Sequence, residues 1–298
     1  MHLPELSRIA IAGAGGLVGQ ELQSILLERR VQQSALDCSG SASACKLAFL
    51  AVPESTASSL ADAFVSSGAI VIDLSAASRV RDQEPLVVPS INGHVLERNP
   101  AIIASPNCTA TILSTALAPL RQFDMASVHV STYQAVSGAG QEALRELDSG
   151  PADSEPVLGE PLCGNVFRHE SPVDRCGHTG EERKLIDESR RLLELPNLQI
   201  SATCMRVPTR RSHLESVSVQ LGNPPPIEQV AGQLADQEGI TLLRSKCPTA
   251  VGSEGRDDIL VGHLRMTGPD TVSFVVAGDQ LRVGAALNAV QIAEQLPD

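Results

Sequence analysis

A few stretches of this sequence hold residue types that can do chemistry. Cys108 follows Ser105, Pro106 and Asn107 and opens CTATILSTALAPL, whose apolar positions have helical spacing and which Asn107 is suited to cap. A sulphur there lies near the positive end of the helix dipole, where thiolate is favoured over thiol, so Cys108 is a candidate nucleophile. Free cysteine is also among the most buried residue types, and the position alone leaves both readings open. His213 ends a run that holds Arg206, Arg210 and Arg211. An imidazole titrating at about pH 6.5 can move protons, yet a histidine beside arginines is ordinarily solvated. Glu181 and Lys184 stand three apart in GEERKLIDESRRLLEL, so they share a helix face, as a surface ion pair or as two ligands. Near the start, GAGGLVG places Gly13, Gly15, Gly16, Leu17, Val18 and Gly19 between a strand-like and a helix-like segment. Glycine lets the backbone approach a pyrophosphate that the free N–H groups of the helix then attract, although a tight turn without ligand has the same look.

The elements that must position these residues fall into two halves. Arg8 to Ala12 reads as a strand, QELQSILLERR as a helix, Lys46 to Val52 as a strand, STASSLADAFVSSG as a helix and Ala69 to Ser75 as a strand. Near-continuous apolar strands alternating with helices imply a mainly parallel sheet covered on both faces. The strands of the second half, ASVHVSTYQAV, LQISATCMRV, LESVSVQL, HLRMTG and TVSFVVAG, include several that alternate with period two, as in a mixed or antiparallel sheet. A Pro/Gly-rich loop runs from Gly150 to Gly180, and RVGAALNAVQIAEQL is an amphipathic helix that can return to the first half. The fold class expected is α/β: a Rossmann-like dinucleotide-binding domain, residues 1–106 with 279–298, plus an α+β domain, residues 107–278.

Composition narrows the partners. The chain has 298 residues, a formal charge of -12 and a pI near 5.0, with no basic stripe to override the repulsion, so neither nucleic acid nor a membrane surface is expected. No window approaches the roughly eighteen apolar residues of a spanning helix, and MHLPELSRIAIAGAGG has no signal-peptide core, which points to the cytoplasm. The seven cysteines are odd in number, scattered and without a CxxC pair, so neither a disulfide framework nor a metal site is indicated.

Taken in order, GAGGLVG, SPNCT, TYQAVSGAG (Thr132 to Gly140), GEERK (Gly180 to Lys184) and CMRVPTRRSH (Cys204 to His213) resemble the aspartate-semialdehyde dehydrogenases. Agreement extends to VIDLSAASR, PLVVPSIN and DQLRVGAALNAVQIAE. The resemblance implies NADPH-dependent reductive dephosphorylation of aspartyl phosphate to aspartate semialdehyde and phosphate, through a thioester on Cys108 with His213 as acid and base. It implies that Arg206 binds the substrate carboxylate, Glu181 its ammonium group, and Lys184 and Arg79 the phosphate. Asn107 and Gln134 would line the acyl centre, the Cys108 N–H would steady an oxyanion, Ser137 and Gly138 would lie near the nicotinamide, and Gln280 would be a late cofactor contact. The second domain would be catalytic and dimerising, pairing broad apolar strand faces in a homodimer.

The sequence also departs from the family pattern. Residues 31–45, VQQSALDCSGSASAC, lack most of a strand, a basic serine-rich turn and a hairpin that relatives usually have, and no arginine lies between Arg30 and Lys46. NAD could therefore replace NADP. Asp37 stands where a dinucleotide fold puts its ribose-binding acid, although ALDCSGS reads more simply as a loop with a solvated aspartate. Gly15 replaces a usual threonine, and LAVPES (Leu50 to Ser55) a usual small-residue turn. Two rivals remain. An N-acetyl-glutamyl-phosphate reductase would have its nucleophile in GCYPT, whereas here it is in PNCTA. A paralogue without catalysis, kept as a binding or structural subunit, would explain the shortened segment but not the retention of every acyl-chemistry residue.

Overall fold

A computed structural model describes residues 1–6, 8–40, 45–150 and 155–297. The parts of the 31–45 segment and of the 150–180 loop that fall on 41–44 and 151–154 lie outside the described residues. The chain divides into two units, Met1–Asn107 with Gly284–Asp298, and Cys108–Val283.

In the first unit, β1 (Ile9–Ala12), β2 (Leu36–Asp37), β3 (Leu47–Leu50), β4 (Ile70–Asp73) and β5 (Ile102–Ala104) form a parallel sheet in the order β2-β1-β3-β4-β5. Alternate residues serve opposite faces. Ile9, Ile11, Leu47 and Phe49 pack with Leu22, Ile25 and Leu26 of helix α1 (Leu17–Glu28) and with the closing helix Leu287–Gln295. Ala10, Ala12, Ala48 and Leu50 meet Ala61 and Phe64 of α2 (Glu54–Ser66) on the other face. Both faces are covered, which is why these strands read as unbroken apolar runs. The expected Rossmann-like sheet is present.

In this unit the sequence reading did not name β2 or β5 as strands. Leu36 and Asp37 pair with Ile9 and Ala10 at the sheet edge, so Asp37 is not a solvated loop residue. Its carboxylate accepts from the Ser39 hydroxyl at 2.6 Å, from the Ser39 N–H at 2.9 Å and from Arg8 Nε at 2.9 Å. The Ser39 bonds, then Arg8, hold its carboxyl down at about 2. At the end of β4, buried Asp73 gathers the Ser75 and Ser78 N–H groups and hydroxyls, shaping the turn that carries Arg79.

In the second unit, β6 (Met125–Gln134), β7 (Phe167–Arg168), β8 (Gln199–Arg206), β9 (His213–Leu221), β10 (Ile240–Leu243), β11 (Ile259–Met266) and β12 (Thr271–Gly278) form one sheet ordered β10-β11-β12-β9-β6-β8-β7. It is mixed: β6 and β8 are parallel, as are β10 and β11, and the other pairs are antiparallel. Helix α3 (Cys108–Leu117) packs on β12 and on α5 (Gly180–Leu192), whose Thr179–Glu182 capping box fixes its start. Besides the short strands β7 and β10 and the four-residue helix Ala250–Ser253, the sequence reading did not find α4 (Gln141–Ser149), which is largely polar and buries only Ala143, or α6 (Ile227–Asp236), interrupted by Gly232. Alternation along β6, β8 and β9 buries Val130, Ala202, Cys204 and Val217 and leaves His129, Tyr133, Ser201, Thr203 and Ser216 exposed. The outer face is thus polar rather than broadly apolar, because the apolar alternates are spent on the inner face.

The glycine turn after β1 is sterically exacting. Gly13 has φ +82, and a side chain on it would meet Ala51 O at 2.1 Å; a Cβ on Gly19 would lie 2.2 Å from Gly13 O. Gly19→Ala is therefore expected to destabilise the first unit by about 1–3 kcal/mol and to weaken dinucleotide binding. Thermal unfolding and a fluorescence titration with NADPH check this; an unchanged melting point and Kd would show that the turn yields easily.

Candidate active site

The ladder of the second sheet sets three side chains along one edge. β6 and β8 run parallel and end together at Gln134 and Arg206, while antiparallel β9 begins beside them at His213. All three point to the inner face. Cys108, the first residue of α3, has its Sγ 3.5 Å from His213 Nε2. On the far side of the ring the Ala135 N–H donates to Nδ1 at 3.1 Å. A nitrogen that accepts a hydrogen bond carries no proton, so the neutral ring has its proton on Nε2, toward the sulphur. His213 is wholly buried, not a surface histidine, and burial first and then the charge of Arg206 push its pKa down to about 3.

The strand turn before His213 is held by residues at the end of β12. Gln280 accepts from the Ser212 N–H at 2.7 Å and its amide donates to the Ser137 hydroxyl. Asp279 takes Arg211 Nε at 2.6 Å. Ser212 has φ 72, left-handed for a residue with a side chain, and these two anchors hold it there. Gly138 leaves a gap in which a Cβ would sit 3.4 Å from Arg206 Nη1 and 3.6 Å from His213 Nε2, so guanidinium and imidazole converge on it.

Around the pair lies a buried polar network. Gln134 Nε2 donates to Glu181 Oε1 at 3.0 Å, and its Oε1 accepts from Thr132 at 3.1 Å. Lys184 Nζ is 3.6 Å from Glu181 Oε2, so these two do pair, but with Glu181 buried and Lys184 on the solvent side. Glu182 is structural, accepting from the Thr179 N–H and from the Cys204 N–H at 3.1 Å. Arg206 is almost fully buried and donates from Nε and Nη2 to both oxygens of Glu170, and from Nη1 to Ala135 O at 2.7 Å. Burial pushes the thiol pKa of Cys204 up, which keeps that second inner cysteine unreactive.

The remaining expected residues belong to the first unit. Arg79 Nε donates to Ser105 O at 2.8 Å and its Nη2 to Leu74 O. Asn107 is that unit's last residue before Cys108, buried at 7 % exposure. Helix α1 starts at Leu17 with no side-chain cap on its N–H groups, and Gly15 is exposed with open space beside it. These features fit a dinucleotide pyrophosphate. Sequence reading missed Ala135, His169, Glu170, Glu215 and Asp279. Asp279 and Ala135 both lay in motifs of the family pattern, but the role of Ala135 is carried by its backbone, which leaves no mark in a sequence.

A family model described as "Semialdehyde dehydrogenase, NAD binding domain" matches residues 30–99, and one described as "Semialdehyde dehydrogenase, dimerisation domain" matches residues 117–283. Together they define a semialdehyde dehydrogenase with a dinucleotide-binding and a dimerisation domain. The aspartate-semialdehyde dehydrogenase of Synechocystis sp. is 34% identical over 332 residues, covering 99% of this chain and 98% of that protein; that of Bacillus subtilis is 33% identical, covering 97% and 96%. The crystal structure of aspartate semialdehyde dehydrogenase II complexed with ASA from Vibrio cholerae superposes with a TM-score of 0.92 at 29% identity over 98% of each chain. The chain belongs to the aspartate-semialdehyde dehydrogenase family. The Synechocystis alignment is longer than this chain of 298 residues, so the relative has positions that this chain lacks.

Glu215, two residues along β9 from His213 on the same inner face, is wholly buried, and neither carboxyl oxygen has a hydrogen-bond partner among the described residues. Burial pushes its pKa well above 4.5, so the folded chain keeps a proton that the unfolded chain releases. Folding then binds protons above about pH 4.5, and the contribution of this group to stability declines as pH rises toward the folded pKa. Glu215→Gln, shaped like the protonated acid, is expected to gain stability over the wild type between pH 5 and pH 8, by up to about 1.4 kcal/mol per pH unit. Urea unfolding of both proteins across that range reads the difference, and parallel curves would mean that Glu215 titrates normally.

Proposed function

We propose that this chain catalyses the NADP(H)-dependent interconversion of L-4-aspartyl phosphate and L-aspartate 4-semialdehyde, by reductive dephosphorylation in the biosynthetic direction, through a thioester on Cys108. The observation that carries the reading is the 3.5 Å approach of Cys108 Sγ to His213 Nε2 at the start of α3, in a chain alike over its length to aspartate-semialdehyde dehydrogenases. In the oxidative direction the sulphur attacks the aldehyde carbon; a C–S bond forms and the carbonyl pair moves to oxygen. Gly13, Gly15, Gly16, Leu17, Val18 and Gly19 would hold a nicotinamide dinucleotide, which would supply the acceptor for the hydride lost as this adduct becomes the thioester. A phosphate oxygen then attacks the thioester carbon, the C–S bond breaks, and its electron pair returns to sulphur.

His213, with Nε2–H toward the sulphur, acts first as a donor that favours the thiolate. It can take the thiol proton only if the Ala135 hydrogen bond to Nδ1 is given up. The Cys108 N–H at the helix start and Gln134 attend the carbonyl oxygen. Arg206 takes the substrate carboxylate, Glu181 its ammonium group, and Lys184 with Arg79 the phosphate. NADP is the cofactor proposed: Arg8 neutralises Asp37, the carboxylate that would otherwise disfavour a 2'-phosphate. Ser137, Gly138 and Gln280 belong to the nicotinamide side of the pocket in this reading. The free state of all seven cysteines suits a reducing cytoplasm, and the polar outer face of the second sheet suits a homodimer interface held by hydrogen bonds.

Phosphate-dependent reduction of NADP by aspartate semialdehyde is expected, with kcat/KM higher than for NAD and lowered at least about a thousandfold in Cys108→Ala. Absence of turnover with either cofactor would favour a paralogue without catalysis, and a strong preference for NAD would overturn the cofactor assignment. Because His213 stays neutral well below pH 6, the rate of Cys108 alkylation by iodoacetamide is expected to show no inflection between pH 6 and 7. A step in that range that disappears in His213→Asn would assign the histidine a titrating role instead.

A further inference from the structure

The guanidinium of Arg206 is fully engaged within the chain. It lies at the end of β8 with its side chain 2% exposed, and it donates from Nε to Glu170 Oε2 at 3.2 Å and from Nη2 to Glu170 Oε1 at 2.6 Å. This is the parallel two-bond fork by which arginine recognises a carboxylate. Nη1 serves Ala135 O at 2.7 Å, and Nη2 also approaches His169 Nε2 at 3.0 Å. No donor edge of Arg206 is left for a second carboxylate while Glu170 is in place.

Glu170 is the more accessible member of the pair, its side chain 22% exposed. Its backbone is set by β7, where Phe167 pairs with Arg206 and Arg168 with Met205, and by the His169 N–H donating to Cys204 O at 2.9 Å. Burial raises its carboxyl pKa, but the Arg206 hydrogen bonds and charge outweigh that and hold it below the usual range, so it is an anion at neutral pH. Exchange of Glu170 for another carboxylate on the same fork conserves both charge and hydrogen bonds. Turning Glu170 outward to water then costs little, whereas leaving Arg206 unpaired in its buried place costs much.

We propose that Glu170 is a specificity-determining residue: an internal carboxylate seated on Arg206 that an incoming substrate carboxylate must displace. The proposal rests on the assignment of Arg206 to the substrate carboxylate. Competition of this kind lowers apparent affinity for carboxylate-bearing substrates by the fraction of time the fork is filled, and it narrows the advantage they hold over uncharged analogues.

The test compares alkylation of Cys108 by iodoacetate and by iodoacetamide, with the modified residue identified by peptide mass mapping. In Glu170→Gln the iodoacetate-to-iodoacetamide rate ratio is expected to rise about tenfold or more over the wild type, because the exposed guanidinium draws in the anionic reagent. Glu170→Asp keeps the charge on a shorter arm and is expected to fall between; it reads the same ratio should the glutamine variant fold poorly. A ratio that stays at the wild-type value in both variants overturns the proposal. With aspartate semialdehyde, the fall in KM of Glu170→Gln is expected to exceed any change in kcat, and an unchanged KM counts against displacement. If no variant turns over aspartate semialdehyde while the alkylation ratio rises as expected, the assigned reaction fails and the role of Glu170 stands.

Discussion

A single backbone hydrogen bond, from the Ala135 N–H to His213 Nδ1, decides which nitrogen faces Cys108. The imidazole could otherwise present either a lone pair or a proton to the sulphur, and the two arrangements do opposite things to a thiol. Ala135 follows directly on β6, so the choice is tied to the sheet rather than to a mobile side chain. The anchors at Ser212 and Arg211 matter for the same reason. They fix where β9 begins, and thus whether the ring reaches both its neighbours.

The inner face of the second sheet gathers an unusual density of ionisable groups: Glu181, Glu182, Glu215, Arg206, His169 and His213. Burying a charge is tolerable only when its partners are close and well aligned. Glu182 is held by two backbone N–H groups, Glu181 by Gln134 and Lys184, and Arg206 by Glu170 and a carbonyl. Glu215 and His213 take the other course and stay uncharged. The inner face therefore holds its buried charges in pairs and keeps Glu215 and His213 neutral, an arrangement in which added negative charge on an acyl oxygen meets no buried carboxylate anion from β9.

What could be read from the sequence was whatever depends on local period and on short motifs. The apolar runs of β1, β3 and β4 gave the parallel sheet because both faces are buried, and period-two alternation gave β6, β8 and β9 because one face is. The glycine turn and the cysteine at a helix start were legible from their immediate neighbours. His213 was different: its burial comes from contacts as far as 105 residues away in the chain, and beside three arginines it looked solvated. Asp37 was obscured because its short strand depends on pairing with β1 and on Arg8 rather than on its own composition. Glu170 lay in FRHESP, which carries no periodicity and no motif, and its partner is 36 residues on. The polar outer face was misjudged because alternation tells which residues share a side, not which side helices will cover.

The core of the first unit is completed by the last helix, with Leu287, Ala289, Val290, Ile292 and Ala293 fully enclosed against strands formed near the start of the chain. During synthesis the ribosome must therefore deliver the whole of the second unit before the first can close. Residues 1–107 would spend that interval with one sheet face only partly covered, by α1, a nascent species that can aggregate and that chaperones would recognise. Stalled translation or loss of the final fifteen residues would leave the second unit with its own core but the nucleotide-binding half incomplete, so the order of emergence, not only the final contacts, bears on how this chain reaches its working state.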